Sequence, residues 1–512
     1  MMEILTDILA YKWTGIIIGF LTALYFYFTW HFRYWKNQGV KGPTPWPVIG
    51  NFASPRKIPF DIQDKKNYEK YGRVFGLFEG RQPSLHVADP ELLKTIFVKD
   101  FHVFQDRRHF EVPEHDKIFN SFLTVMQGEE WKHHRNLISP VFTTGKMKQM
   151  LLLIEDCGKV MVKFLNSYAE NNQHVDFTQC FSAIGLDVIG ACAFGTKVNC
   201  LENQKNEFVW HAKKAFETPP KLVILAILFP QLVKYINLPS LIPKITTDYY
   251  RKLINDVIKA RKEQAEPRKD FLQKILDAKV ESEKLDSLST DGQTSHFKIT
   301  EDHVIAHSML FILAGFETTS TTLSFVLYSI ALREEIQDRM RKEIEDVLAD
   351  HGNDINYDSL AEMKYLDMVF SETLRLYSPA TRTERVCQED GYNLGGIILK
   401  KNQIVSIPIS CIHQDEEFYP NPQVFDPERF SPENRAKINP YTYLPFGYGP
   451  RNCIGMRFAL LQMKVILVYL LRHFSIKTCP ETDIPFVRKK ESNFHVPAAM
   501  NLKIEKRNGI EI

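Results

Sequence analysis

Apolar positions along the chain follow three patterns. The first is continuous. Between Lys12 and Arg33 lies WTGIIIGFLTALYFYFTWHF, twenty positions without a formal charge. At about 1.5 Å per residue, a helix of that length spans roughly 30 Å, the thickness of a bilayer's hydrocarbon core. Trp13 and Trp30 stand near its ends, where indoles favour the membrane interface. A cleaved signal peptide would carry a shorter apolar run and a small-residue cleavage site, and none follows here. Residues 1–35 therefore read as a retained membrane anchor that adds nothing to a core. Glu3, Asp7 and Lys12 precede the span, while Arg33, Lys36 and Lys41 follow it. That asymmetry predicts the remainder of the chain on the cytosolic side.

The second pattern is helical. Residues 36–51 form a connector whose GPTPWPVIGN stretch holds three prolines that remove backbone donors and stiffen it. Most of residues 91–380 then repeats apolar positions at helical spacing, and 333–350 (REEIQDRMRKEIEDVLAD) predicts an amphipathic helix with i,i+4 charge pairs. The third pattern is short and β-favouring. Residues 74–89 predict a hairpin broken at Gly-Arg-Gln-Pro, 396–409 two short strands, and the tail from 484 to 505 weak strand character. The fold class is mainly α with small β-sheets, after one N-terminal transmembrane helix. Residues 282–298 are polar and predict an exposed loop. Residues 221–243 are apolar but interrupted by Pro230, Pro239 and Pro243, which argues against a span. Core helices or a surface dipping into the same bilayer both fit that segment.

Composition narrows the picture. The 512 residues are 44% hydrophobic and 25% charged, with no linker or repeat after residue 50, so residues 52–512 read as one large domain. Lys and Arg number 64 against 62 Asp and Glu; a net charge of +2 gives no reason to expect nucleic acid. The eight cysteines form no CxxC pair, as expected of reduced thiols, and seven read as buried.

Cys453 stands apart. It lies in Phe446-Gly-Tyr-Gly-Pro-Arg-Asn-Cys-Ile-Gly455, directly before the helical pattern MRFALLQMKVILVYLL. Glycines such as Gly447 and Gly455 permit tight turns and close approach to a flat ligand. A following helix N-terminus favours thiolate over thiol, and Arg451 is within reach of a carboxylate on the same ligand. In KYLDMVFSETLRLYSP, Glu372 and Arg375 share a helical face among apolar neighbours, and residues 427–430 are PERF. In HVIAHSMLFILAGFETTSTTLSFVL, a mid-helix Thr run has poor propensity. The Thr318 hydroxyl can bond back to the Ala314 carbonyl and distort the helix, with Gly315 opening space beside it for a small molecule. Ala314, Phe311 and His307 lie on the face of Thr318. Phe311 is expected to line a pocket; His307 fits a polar rim, a core position or a substrate contact. Trp131 and Arg135, in WKHHR, sit one turn apart.

These motifs, in this order, resemble those of the cytochrome P-450 family of haem-thiolate monooxygenases, microsomal type, and most closely the clan of vertebrate drug-oxidising and arthropod detoxification enzymes. The resemblance runs from residue 13 onward. It implies haem b (iron protoporphyrin IX), with Cys453 as metal ligand and Phe446 shielding the sulfur. It makes Glu372, Arg375 and Arg429 a buried network fixing the cysteine loop. It makes Glu317 and Thr318 a proton relay. It makes Trp131, Arg135, Arg107, Arg385 and Arg451 partners of the haem propionates, although the stretch between Pro379 and Arg385 is one residue short of the related pattern. Thr124 joins the expected substrate pocket.

The expected function is insertion of one O₂ atom into apolar xenobiotic or steroid- or lipid-like substrates at the endoplasmic-reticulum membrane. Electrons would come from NADPH through a reductase carrying FAD and FMN, with cytochrome b5 as a further partner. The alternatives are a haem-thiolate hydroperoxide isomerase or dehydratase, and a non-enzymatic haem carrier or sensor.

Overall fold

The computed structural model describes residues 2–51, 59–109, 117–203, 206–216, 225, 227–229, 240–263, 270–288, 298–489 and 494–507. The helices that frame the site and the N-terminal segment are α1 (Met2–Thr29), α2 (Gly128–Ile138), α3 (Thr144–Glu170), α4 (Phe177–Phe194), α5 (Phe271–Leu288), α6 (Glu301–Ala331), α7 (Glu334–Asp350), α8 (Lys364–Leu376) and α9 (Met456–His473). The described strands are β1 (Val74–Glu79), β2 (Gln82–Val87), β3 (His174–Asp176), β4 (Thr383–Val386), β5 (Tyr392–Leu394), β6 (Ile397–Leu399), β7 (Ile404–Ile407), β8 (Phe474–Lys477) and β9 (Asn501–Lys506).

Two hydrophobic cores result. The larger packs α2 through α9 around α4, α6 and α9, whose apolar residues face inward on nearly every side. The smaller lies under a four-stranded sheet of order β1-β2-β7-β4, in which β2 and β7 run parallel and the other pairs antiparallel. The β1–β2 hairpin closes through Gly80-Arg81 alone, with Glu79 opposite Gln82. Gly80 has φ +60°, as a turn with glycine in its first central position requires. Gln82 and Pro83, expected in the break, are already strand. The order β3-β9-β8 forms a second sheet, and β5 and β6 form a hairpin.

Helix α7 matches the expected amphipathic segment. Two other expectations change. Residues 282–288 continue α5 rather than opening a loop: Glu281, Glu283 and Lys284 are good helix formers, and buried Ser282 accepts a 3.1 Å hydrogen bond from Ile299 N–H. In the tail, strand among the described residues begins at Asn501, with an earlier bridge between Arg488 and Pro497. Most of residues 221–243 lies outside the described residues.

Three described helical stretches are long and apolar enough to cross a bilayer. Two of them, α4 and α6, are mostly buried in the protein. The stretch from Lys12 to Asn37 buries none of its most apolar window, and Trp13 and Trp30 are exposed. Burial inside the protein makes the first two core helices, and its absence leaves the third suited to lipid.

The packed body nevertheless begins before residue 36, which corrects the expected anchor boundary. Trp35 is only 3% exposed; its indole N–H donates to Leu77 O at 2.9 Å, and its ring lies against Gly76, where any Cβ would collide with it. Phe32 packs on Phe78 with centroids 5.1 Å apart, and the Tyr34 hydroxyl donates to Ile398 O at 2.8 Å. Residues 32–35 thus fasten the end of the apolar helix to β1 and to β6.

Deleting residues 1–29 should leave thermal unfolding of the haem-loaded protein unchanged. Deletion through residue 35, or Trp35→Ala, should cost about 3–5 kcal/mol, as for removing a buried large aromatic. Equal melting of the two truncations would refute the role of Trp35.

Candidate active site

The cysteine loop is a turn closed on itself. Cys453 N–H donates to Phe446 O at 2.8 Å, while Gly447 and Gly449 take φ of +70° and +75°. Gly449 also lies so close to Phe97 that a Cβ would stand 2.2 Å from its carbonyl oxygen. Helix α9 starts directly after the loop, with Gly455 as its N-cap. Protein encloses Cys453 on nearly all sides, yet its side chain is open to solvent-sized space, unlike the structural cysteines 180, 192, 200, 387 and 411, which are buried. Cys453 therefore lines interior space.

Burial pushes the Cys453 thiol up, and the Gly455 N–H and the charges of Arg135 and Arg107 only partly oppose this. The N–H at the helix start favours thiolate as expected, but desolvation outweighs it. A metal cation at the sulfur would supply the missing counter-charge.

The expected network is present and larger than expected. Glu372 and Arg375 are fully buried and paired bidentately at 2.7 and 2.8 Å. Arg429 Nε lies 3.4 Å from Glu372, and Asp426 N–H donates to the same carboxylate at 2.9 Å. Burial raises the Glu372 carboxyl, opposed by the two arginines. Arg375 also donates to the carbonyls of His413 and Pro422, each at 2.8 Å. His413 is the link that sequence reading missed. Its Nδ1 meets Arg375 O at 3.2 Å and its Nε2 accepts Leu444 N–H at 2.8 Å, two residues before Phe446. Burial and Arg375 hold His413 down at about 3, so it stays neutral and can accept. A lone His in SCIHQD carries no motif, so only packing reveals it.

Around the loop gather arginines with too few anions. Arg451 is buried, stacks over Trp131 with its guanidinium 4.3 Å from the ring centroid, and donates to Met126 O at 2.6 Å and Asp106 at 3.2 Å. Its Nε and Nη1, and the Nε of Arg107 and of Arg385, are buried without a partner. Burial and the neighbouring cations Arg107 and Arg135 push Arg451 down to about 9; burial, Arg107 and Arg451 push Arg385 well down. Arg135 is engaged otherwise than expected. Both its Nη groups hold Asn452, at 2.8 Å to O and 2.9 Å to Oδ1, so it clamps the loop.

On α6, the Thr318 hydroxyl donates to Ala314 O at 2.8 Å, as the sequence predicts. Ala314 is exposed although this helix is otherwise largely buried, so it too faces interior space. Burial raises the Glu317 carboxyl, opposed by Lys489 and Lys213. Gly315 faces the other way: a Cβ there would meet Ile189 at 2.7 Å, so its small size seats α6 on α4 and opens no groove. Phe311 packs among Phe271, Phe142 and Phe458, at centroid distances of 4.4, 6.0 and 5.7 Å. These contacts join half-buried Phe311 of α6 to α5 and α9 at the edge of the core. His307 is 1% exposed and its Nε2 meets His134 Nδ1 at 2.9 Å, so it is a core histidine rather than a substrate contact. Of the positions open to His307, the structure takes the core one; helical phase gives a shared face, not what covers each end of it. Thr124 is exposed between buried Leu123 and Val125.

The residues present fit a haem: a sulfur opening into interior space, and unpaired guanidinium N–H groups that two propionates would satisfy.

The cytochrome P450 family profile matches residues 40–502. Cytochrome P450 3A12 of Canis lupus familiaris is 37% identical over 514 residues, covering 99% of each chain. Cytochromes P450 3A31 of Mesocricetus auratus and 3A2 of Rattus norvegicus are each 38% identical over 515 residues, again covering 99% of each chain. The chain belongs to the cytochrome P450 family, whose members are haem b monooxygenases, and it is similar to vertebrate members of the 3A group.

Glu372→Gln should destabilise the protein by about 3–5 kcal/mol by leaving buried Arg375 without its counter-charge. Thermal unfolding and haem content should fall together; a variant melting like its parent would remove the network from its role.

Proposed function

We propose that Cys453 is the haem ligand of a membrane-anchored monooxygenase acting on apolar organic substrates, with Arg107, Arg385, Arg451 and Trp131 surrounding the propionates. One observation carries this reading: the Cys453 sulfur is open to space while protein encloses it. When bound, the haem iron supplies reductive activation of O₂ and transfer of one oxygen atom. The protein's own residues do the rest. The Glu372–Arg375–His413 network holds the loop, and Arg135 clamps Asn452 beside the ligand. The Thr318 hydroxyl stays anchored on Ala314 O, ready to pass a proton. Glu317, the neighbouring carboxyl, is the acid that supplies protons to Thr318.

The exposed apolar helix at the N-terminus supports insertion into the endoplasmic-reticulum membrane, and Arg33, Lys36 and Lys41 after it support a cytosolic catalytic domain. Electrons then come from NADPH through a flavoprotein reductase, with cytochrome b5 as a second donor. Exposed Lys132 and Lys148, on α2 and α3, offer cationic docking points near the cysteine loop.

Cys453→His should abolish oxygenation, and its ferrous–CO complex should lose the red-shifted band that thiolate ligation gives; retention of that band would refute the ligand. Thr318→Ala should keep haem content and reduction at parental levels but lower product formed per NADPH consumed on the order of tenfold. Parental coupling in the variant would rule out the relay.

A further inference from the structure

Beside the haem-binding residues, α2 and the first two turns of α6 bring together four groups that the oxygenation chemistry does not use. Glu130 and His134 stand at i and i+4 on α2, and His303 and His307 at i and i+4 on α6, so each pair presents one helical face to the other. The His134 and His303 rings lie 4.6 Å apart, and His303 Nε2 is 3.7 Å from Glu130 Oε1. One ligand atom from each of Glu130, His134 and His303 lies within 4.8 Å of the other two.

We propose that Glu130, His134 and His303 form a binding site for a divalent transition metal, with zinc the best chemical match. Two imidazoles and a carboxylate, with a fourth position left for water, are a donor set this ion favours. A second observation points the same way. His134 is 0% exposed, its Nδ1 is bonded to His307, and its Nε2 is buried without a partner. An apolar residue would serve a helix–helix contact better than an unsatisfied ring nitrogen. If His134 donates from Nδ1 to His307 Nε2, its own Nε2 lone pair is free for a cation, and His307 Nδ1–H is left as the buried donor without a partner. A metal-bound imidazole commonly donates its other N–H in this way. At His303, metal binding at Nε2 selects the tautomer whose other nitrogen donates to the Lys298 backbone, in place of the 3.3 Å bond accepted from Thr300 N–H. The Glu130 side chain, 43% exposed, leaves a way in from solvent. Bound there, the ion ties α2, which carries Trp131 and Arg135, to the start of α6.

The test uses full-length, haem-loaded protein dialysed against micromolar zinc chloride, with bound metal measured by mass spectrometry. The parent should hold one equivalent, and Glu130→Gln and His303→Ala should each hold at least tenfold less at that zinc concentration. Both replaced side chains have an edge at solvent, and an unchanged ferrous–CO band in each variant certifies folding. Zinc should raise the parent's thermal midpoint and leave that of His303→Ala unmoved. The proposal is overturned if the parent binds no zinc, or if the variants retain the parental equivalent, which would place the ion at other histidines or cysteines.

Discussion

Arg375 sits with 0% exposure and makes its bonds in four directions: to Glu372, to the carbonyls of His413 and Pro422, and over the ring of Tyr419. A guanidinium removed from water survives only when its donors are matched, and here the matching groups come from three separate parts of the chain. The segment around residues 413–430 is irregular for much of its length, and it is Arg375, Glu372 and His413 that give it one position. His413 then passes that position to Leu444, and so to the turn that ends in Cys453. The place of the sulfur is decided by a charge buried on α8.

A second buried charge cluster works in the opposite sense. Arg107, Arg385 and Arg451 crowd together with Asp106 and Glu384 as their nearby acids, and several of their N–H groups remain unmatched. In the network around Glu372, the central Arg375 is fully matched and only Arg429 Nε lacks a hydrogen bond, whereas this cluster leaves N–H groups of three arginines open, as the proposed propionate contacts require. The same physics, desolvation of arginine, marks one set of residues as scaffold and the other as site. Zinc at Glu130, His134 and His303 would add a third tie on the same helix, α2, whose Arg135 already grips the loop at Asn452.

Much of this was legible before any coordinates. A twenty-residue uncharged run is governed by length and solvation alone, and α4 and α6, equally apolar by composition, are separated from it only by burial. Cys453, Glu372, Arg375, Arg429 and the Thr318–Ala314 bond are local signals: glycine spacing, an i,i+3 pair on an apolar face, a hydroxyl one turn from a carbonyl. Helical phase also put His307 and Phe311 on the face of Thr318, which is where they lie, but phase says nothing of what stands opposite.

What stands opposite comes from residues far away in sequence, and tertiary structure alone decided it. Phe311 meets Phe271 and Phe458; His307 meets His134; Gly315 meets Ile189. Trp35 belongs to the body because Gly76 leaves a flat surface for its ring and Leu77 offers a carbonyl, neither visible from an apolar run ending at Phe32. His413 carries no motif and becomes the link to the cysteine loop only when α8 packs beside it. Local chemistry is written in neighbours along the chain. Whether a side chain faces ligand, core or solvent depends on long-range packing, which no local pattern encodes.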